Sequence, residues 1–195
     1  MGLPSLLNKT WHFLWHEDSL LSWIVNLALA FVLVKFLLYP GIGFLLGTEY
    51  PIVAVVSGSM EHQGKNFDPW WEGAQPWYGT KSITREQFSA FPFHNGFSKG
   101  DIMILKGVEP NTIIVGDVVV YESQRHTNPI IHRVVAITVK DNTHFFETKG
   151  DNNPTSDRDL VGEEQLQRTG KALLRIPLLG WIKIGFVSLL GGVFT

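Results

Sequence analysis

Residues 129–149, PIIHRVVAITVKDNTHFFETK, decide the fold. Two runs rich in β-branched and aromatic side chains, Ile130 to Val139 and His144 to Lys149, flank Asp141-Asn142, a pair suited to a tight hairpin turn. A period of two places His132, Val134 and Ala136 on one face of the first run and Ile131, Arg133 and Val135 on the other. Working outward, similar short runs occur at Ile52 to Val56, Ile102 to Lys106 and Val118 to Tyr121, the last two each following a Gly-Asp pair (Gly100-Asp101, Gly116-Asp117). The expected fold class is mainly β.

A different pattern precedes these runs. The stretch 20–46, LLSWIVNLALAFVLVKFLLYPGIGFLL, holds only Asn26 and Lys35 as strongly polar residues. Leu20 to Tyr39 supplies about 20 residues, enough for a helix to cross a hydrocarbon core of roughly 30 Å, and Pro40-Gly41 is expected to end it. Lys35 lies near the distal end, where it can snorkel to the headgroups or face a partner helix. The run is longer than a leader's apolar region and no small-x-small site directly follows it, so it reads as an anchor rather than a cleaved signal. Lys9 is the single Lys or Arg before it, and none lies between Lys35 and Lys65, which favours an inside N-terminus and an outside β domain. Residues 176–195 are apolar but diluted by Lys183 and glycines; packing in the interface is preferred over a second span.

Composition removes several functions. The 195 residues suit one domain plus an anchor, and a net charge of -2 with 17% charged residues offers no basic stripe for nucleic acid. With no cysteine, thiolate chemistry and disulfides are excluded. No HExxH cluster or phosphate-binding Gly-rich loop occurs, so neither metal nor cofactor is expected. Residues 61–99 stand apart as an insertion containing Trp70, Trp71, Trp77, Tyr78, Phe88, Phe91, Phe93 and Phe97. Such density makes a small satellite core, a belt at the lipid headgroups or a rim over a site.

Three segments carry chemistry together. Ser57-Gly58-Ser59-Met60 follows an apolar strand soon after the span; alone, it is an ordinary turn. His132 sits on the long strand, where it could accept a serine proton, although a single strand histidine is commonly structural. His12, His16, His62, His94, His126 and His144 fit that role less well, lying before the span, in the insertion, in a loop or at a strand start. Lys149-Gly150-Asp151-Asn152-Asn153 and Asp157 close the last β-run, and either Asp151 or Asp157 could hold an imidazole in one tautomer.

In that order, SGSM, GDVVVYE, IIHRV and TKGDNN with an aspartate six residues on resemble the type I signal peptidases, as does RIPLLGWI near the end. Bacterial members use a serine and lysine dyad. The archaeal enzymes and the catalytic subunit of the eukaryotic signal peptidase complex have histidine instead, and this chain, with His132, is similar to them. The resemblance implies Ser59 as nucleophile, His132 as base, Asp157 as the favoured acid, Asp151 in support, and an oxyanion hole from the Ser57 hydroxyl and Ser59 N–H. It implies a membrane-bound serine endopeptidase that removes signal peptides from secreted preproteins after small residues, on the outer face of the cell membrane. Its implied partners are preproteins, membrane lipid and the secretion translocon. Departures are Glu61-His62, where proline usually follows the acidic residue, and the 61–99 insertion, which bear on cleft shape.

The expected organisation is a cytoplasmic segment 1–19, an anchor 20–46, a catalytic domain 47–175 with the insertion 61–99, and an apolar segment 176–195. Two rival readings are a serine and lysine enzyme using Lys149 or Lys171, and a non-catalytic membrane adaptor that binds a partner through the aromatic insertion.

Overall fold

A computed structural model describes residues 3–123, 125, 128–182, 184, 185 and 188. The chain divides into two compact units, Met1–Leu45 and Leu46–Thr195. In the first, helix α1 (Leu3–His16) turns at Ser19, whose hydroxyl accepts from the Ser22 N–H to cap α2 (Leu20–Leu33). Ser22 Oγ donates to Phe13 O at 2.7 Å and Asn26 Nδ2 to Leu14 O at 2.9 Å. These are carbonyls from the last turn of α1, which have no acceptor role inside their own helix. Asn26, out of place in an apolar run, is thereby satisfied.

The helix does not stop at Pro40-Gly41. A π-helical segment, Val34–Leu38, precedes α3 (Tyr39–Leu46), and the whole runs as one helix, Leu20–Leu46, long and apolar enough to cross a membrane. A proline lacks the N–H of the regular ladder and crowds the preceding turn; widening that turn lets the helix continue. Gly47, at φ 64°, follows it in the left-handed conformation typical of a helix end. The Lys35 ammonium lies 5.6 and 5.4 Å from the centroids of the Phe31 and Phe36 rings.

The second unit is β-rich, as its sequence pattern predicts. Its strands are β1 (Ile52–Ala54), β2 (Ile102–Lys106), β3 (Val118–Tyr121), β4 (Ile130–Lys140), β5 (Thr143–Lys149), β6 (Val161–Gly162) and β7 (Gly170–Ile176). They form one curled antiparallel sheet in the order β1-β2-β7-β3-β4-β5-β6. Asp141 and Asn142 have φ of 49° and 61°, the pair of positive values a two-residue hairpin needs to match strand twist. β1 ends two residues earlier than expected, which frees Val55 and Val56 to lead into the Ser57 turn. A bulge between Val134 and Ala136 changes the face parity expected for Ala136: Ile137, not Ala136, joins Val134 in the cluster of Val119, Tyr121 and Phe146. β7 lies inside the sheet between β2 and β3, β6 forms its far edge, and a short helix, α6 (Glu163–Gln167), follows β6.

The insertion folds as α4 (Phe67–Gly79) and α5 (Arg85–Ser89), the latter started by a Thr84/Gln87 capping box. Trp70, Trp71, Tyr78, Ile83 and Phe88 pack with Val135 of β4 into a satellite core. With Trp70 8% and Trp71 3% exposed, neither can serve a headgroup belt. Of the apolar C-terminal segment, residues 177–181 pack on the Gly100 turn, with Gly180 N donating to Gly100 O (2.7 Å) and Leu178 N to Asp101 Oδ1 (3.0 Å). The expectation for 183, 186, 187 and 189–195, like that for His126, lies outside the described residues.

Candidate active site

The end of β1 and the start of β4 face each other across a cleft of about 440 Å³, lined by Ala54, Val55, Val56, Ser57 and Ser59 on one side and by residues 128–132, Asn153 and Asp157 on the other. Its serine turn is held from below. Met60 is fully buried in the core beside Val55 and Phe97, and the Glu61 N–H closes back on Gly58 O at 3.2 Å. Ser57 and Ser59 share a hydroxyl hydrogen bond, Oγ to Oγ 3.2 Å. Burying Met60 leaves the serines on the cleft side of the turn.

His132 pairs with Val119 in the sheet and is 6% exposed. Its Nδ1 is 2.7 Å from Asp157 Oδ2. The same oxygen accepts from Tyr121 Oη (2.8 Å) and Thr148 Oγ1 (2.7 Å), while Asp157 N donates to Thr148 O (2.8 Å). Burial works against the Asp157 carboxylate, but the hydrogen bond and charge of His132, with the Thr148 and Tyr121 hydroxyls, outweigh it and lower its pKa. On the far side of the ring, Gly150 closes the site. A Cβ there would lie 2.7 Å from Ser59 O and 2.8 Å from His132 Nε2, so only glycine lets the imidazole and the serine turn approach. Among the described residues, Ser59 Oγ has the Ser57 hydroxyl as its hydrogen-bond partner.

Asp151 has a different place. It is buried beneath the loop, where its carboxylate takes Arg133 Nε (2.9 Å) and Nη2 (2.8 Å), Tyr78 Oη (3.1 Å) and His62 Nε2 (3.2 Å). Desolvation opposes its charge, but Arg133, the His62 hydrogen bond and the remaining donors hold its carboxyl well below the usual range. Arg133, fully buried, also donates to Pro92 O, Phe93 O and Gly116 O, so the insertion completes its shell. Neither alternative lysine faces Ser59. Lys149 Nζ donates to Gly150 O and Asp151 O and lies over the Trp77 and Tyr78 rings, and Lys171 pairs with Asp117. Burial pushes the Lys149 ammonium down to about 8.

Tyr121, Arg133, Thr148 and Gly150 lie within the quoted motifs, but sequence reasoning gave them no role. Arg133, a guanidinium inside an apolar strand beside the candidate base, was the one with a readable signal.

The lowered pKa of Asp157 predicts a pH effect on stability. A carboxyl held below its ordinary value of 3.8 contributes stability that is present above that value and is lost as pH falls through the folded one. Melting curves of the detergent-solubilised chain from pH 7 to 3 are expected to show a shallower loss of Tm below pH 4 in Asp157→Asn than in the unmodified chain; equal slopes would contradict the assignment.

A curled antiparallel sheet with this cleft, carrying serine, histidine and aspartate in that chain order behind an apolar helix, defines a protein of the signal-peptidase-like fold. No family model matches the chain. It is 30% identical over 165 residues to the signal peptidase complex catalytic subunit SEC11 of Scheffersomyces stipitis, covering 81% of this chain and 79% of that protein. It is 27% identical over 156 residues to SEC11 of Yarrowia lipolytica (77% and 71%), and 30% identical over 154 residues to SEC11C of Homo sapiens (76% and 63%). The chain belongs to the family of signal peptidase complex catalytic subunits. It spans 63% of the length of the mammalian relatives it matches.

Proposed function

We propose that this chain is a membrane-anchored serine endopeptidase that removes signal peptides from preproteins, with Ser59 as nucleophile, His132 as general base and Asp157 as the group that orients the base. The observation that carries this reading is the 2.7 Å bond between Asp157 and His132 Nδ1, which leaves Nε2 on the side of the serine turn. A protonated Nδ1 donating to the carboxylate makes Nε2 the free acceptor. Nε2 takes the Ser59 proton as Oγ attacks the scissile carbonyl, then passes it to the leaving amine; water hydrolyses the resulting ester by the same route in reverse. The oxyanion is held by the Ser59 N–H and the Ser57 hydroxyl.

The substrate is an extended segment that follows a signal peptide's apolar core and ends in small residues. β1 is an edge strand, so its free backbone groups can pair with such a segment, while the Val55 and Val56 side of the cleft restricts side-chain size. The apolar helix Leu20–Leu46 spans the cell membrane with the catalytic unit outside, which confines enzyme and preprotein to one surface and raises their effective concentration. The secretion translocon delivers the substrate.

Cleavage of a preprotein in micelles tests this through pH. The rate is expected to fall on the acid side with a slope of one proton, as imidazolium cannot accept from Ser59. A rate that stays level into strongly acidic pH would rule out histidine as base.

A further inference from the structure

Asn152 follows the buried Asp151 but points the other way, onto the serine turn. Its backbone N–H donates to Ser59 O (2.8 Å) and its side-chain Nδ2 to Gly58 O (3.1 Å). Gly58 O also accepts the Glu61 N–H, so two donors fix the direction of that carbonyl. In a planar trans peptide the C=O and N–H point in opposite directions. Fixing Gly58 O toward Asn152 therefore turns the Ser59 N–H away from the loop, and among the described residues it has no acceptor.

The Asn152 amide is itself held. Its Oδ1 accepts from Gln63 Nε2 at 3.0 Å, which leaves Nδ2 as the group facing Gly58. Gln63 opens the insertion and adopts φ 54°, a left-handed conformation that non-glycine residues rarely take. Its neighbour His62 is stacked on Trp70 at 3.7 Å and reaches Asp151 from below, so two consecutive insertion residues grip two consecutive loop residues.

We propose that Asn152, locked by Gln63, is a positioning residue for the oxyanion hole: it orients the Gly58–Ser59 peptide so that the Ser59 N–H is aimed at the scissile carbonyl oxygen. This rests on the serine endopeptidase reading above. It gives the insertion a role in the reaction, since the residue that fixes the Asn152 amide comes from it. The contribution is specific to the transition state, because the N–H meets full negative charge only there.

The test uses the full chain in micelles with a preprotein substrate, and compares Asn152→Asp, Asn152→Ala and Gln63→Ala. In Asn152→Asp the side chain keeps its size but presents a second acceptor to Gly58 O, which drives the peptide to flip. Its kcat is expected to fall about 100-fold or more, the loss typical of one oxyanion donor. KM should stay within about twofold, and the acid limb of the pH profile, set by His132, should not move. Asn152→Ala is expected to lose less, and Gln63→Ala less again. Affinity for a peptide aldehyde, which forms a tetrahedral adduct, should drop in step with kcat. Unchanged kcat in Asn152→Asp, or a loss confined to KM, would overturn the proposal. If Asn152→Asp does not fold, Asn152→Ala decides: a kcat loss at unchanged KM and aldehyde affinity falling with it support the idea, and equal kinetics reject it. An unmodified chain that cuts no preprotein removes the endopeptidase reading and this proposal with it, whereas a normal unmodified chain with normal variants removes only this one.

Discussion

Asp151→Ala is expected to destabilise the β-rich unit by about 3–5 kcal/mol, the usual cost of removing one partner from a buried ion pair. Arg133 is fully buried, with Asp151 as its only carboxylate partner among the described residues. Without it the guanidinium keeps three carbonyls, Pro92, Phe93 and Gly116, and the Phe88 ring at 4.7 Å, none of which carries a formal negative charge. Tyr78 and His62 lose their acceptor as well. The double variant Asp151→Ala/Arg133→Met removes the charge along with its partner and is expected to recover part of the loss, because an apolar replacement of the whole pair avoids the stranded cation. Thermal unfolding in detergent of both variants measures this. A single variant that melts within a degree of the unmodified chain would show that Arg133 does not depend on Asp151.

The second large effect concerns catalysis. His132→Ala is expected to reduce kcat on the order of 10⁶-fold, since a serine hydroxyl without a base is a poor nucleophile. Asp157→Asn is expected to cost about 10⁴-fold, because an amide can donate to Nδ1 and stabilise the wrong tautomer. KM should change little in either, as neither side chain is needed to bind an extended peptide. The two aspartates thus separate by readout: loss at 157 appears in kcat with the fold retained, and loss at 151 appears first in stability.

The residues by themselves left that separation open, and only the family resemblance favoured Asp157. Asp151 and Asp157 lie in one polar loop, and which of them meets His132 depends on where the loop turns. Asp157 N pairing with Thr148 O brings residue 157 back beside β5, while Asp151 drops beneath the sheet to Arg133. The β4–β5 hairpin and the serine turn were readable because their signals are local: alternation, a turn pair with positive φ, a short polar stop after an apolar strand. β7 was not. An extra residue at Leu173 interrupts its pairing with β2, and Leu173 and Leu174 are exposed where a regular strand would alternate. The insertion's helices were hidden by composition, since a segment dense in tryptophan and phenylalanine shows little contrast between a buried and an exposed face. The helix end was misplaced at Pro40 because the π-helical turn that accommodates a proline leaves no mark in sequence.

The most direct test of the account is the cut itself. A preprotein with a defined signal peptide is incubated in micelles with the unmodified chain and with Ser59→Ala, and the products are weighed by mass spectrometry. One cut after a small residue is expected with the unmodified chain and none with Ser59→Ala. The same cut from Ser59→Ala, or no cut from the unmodified chain, would contradict it.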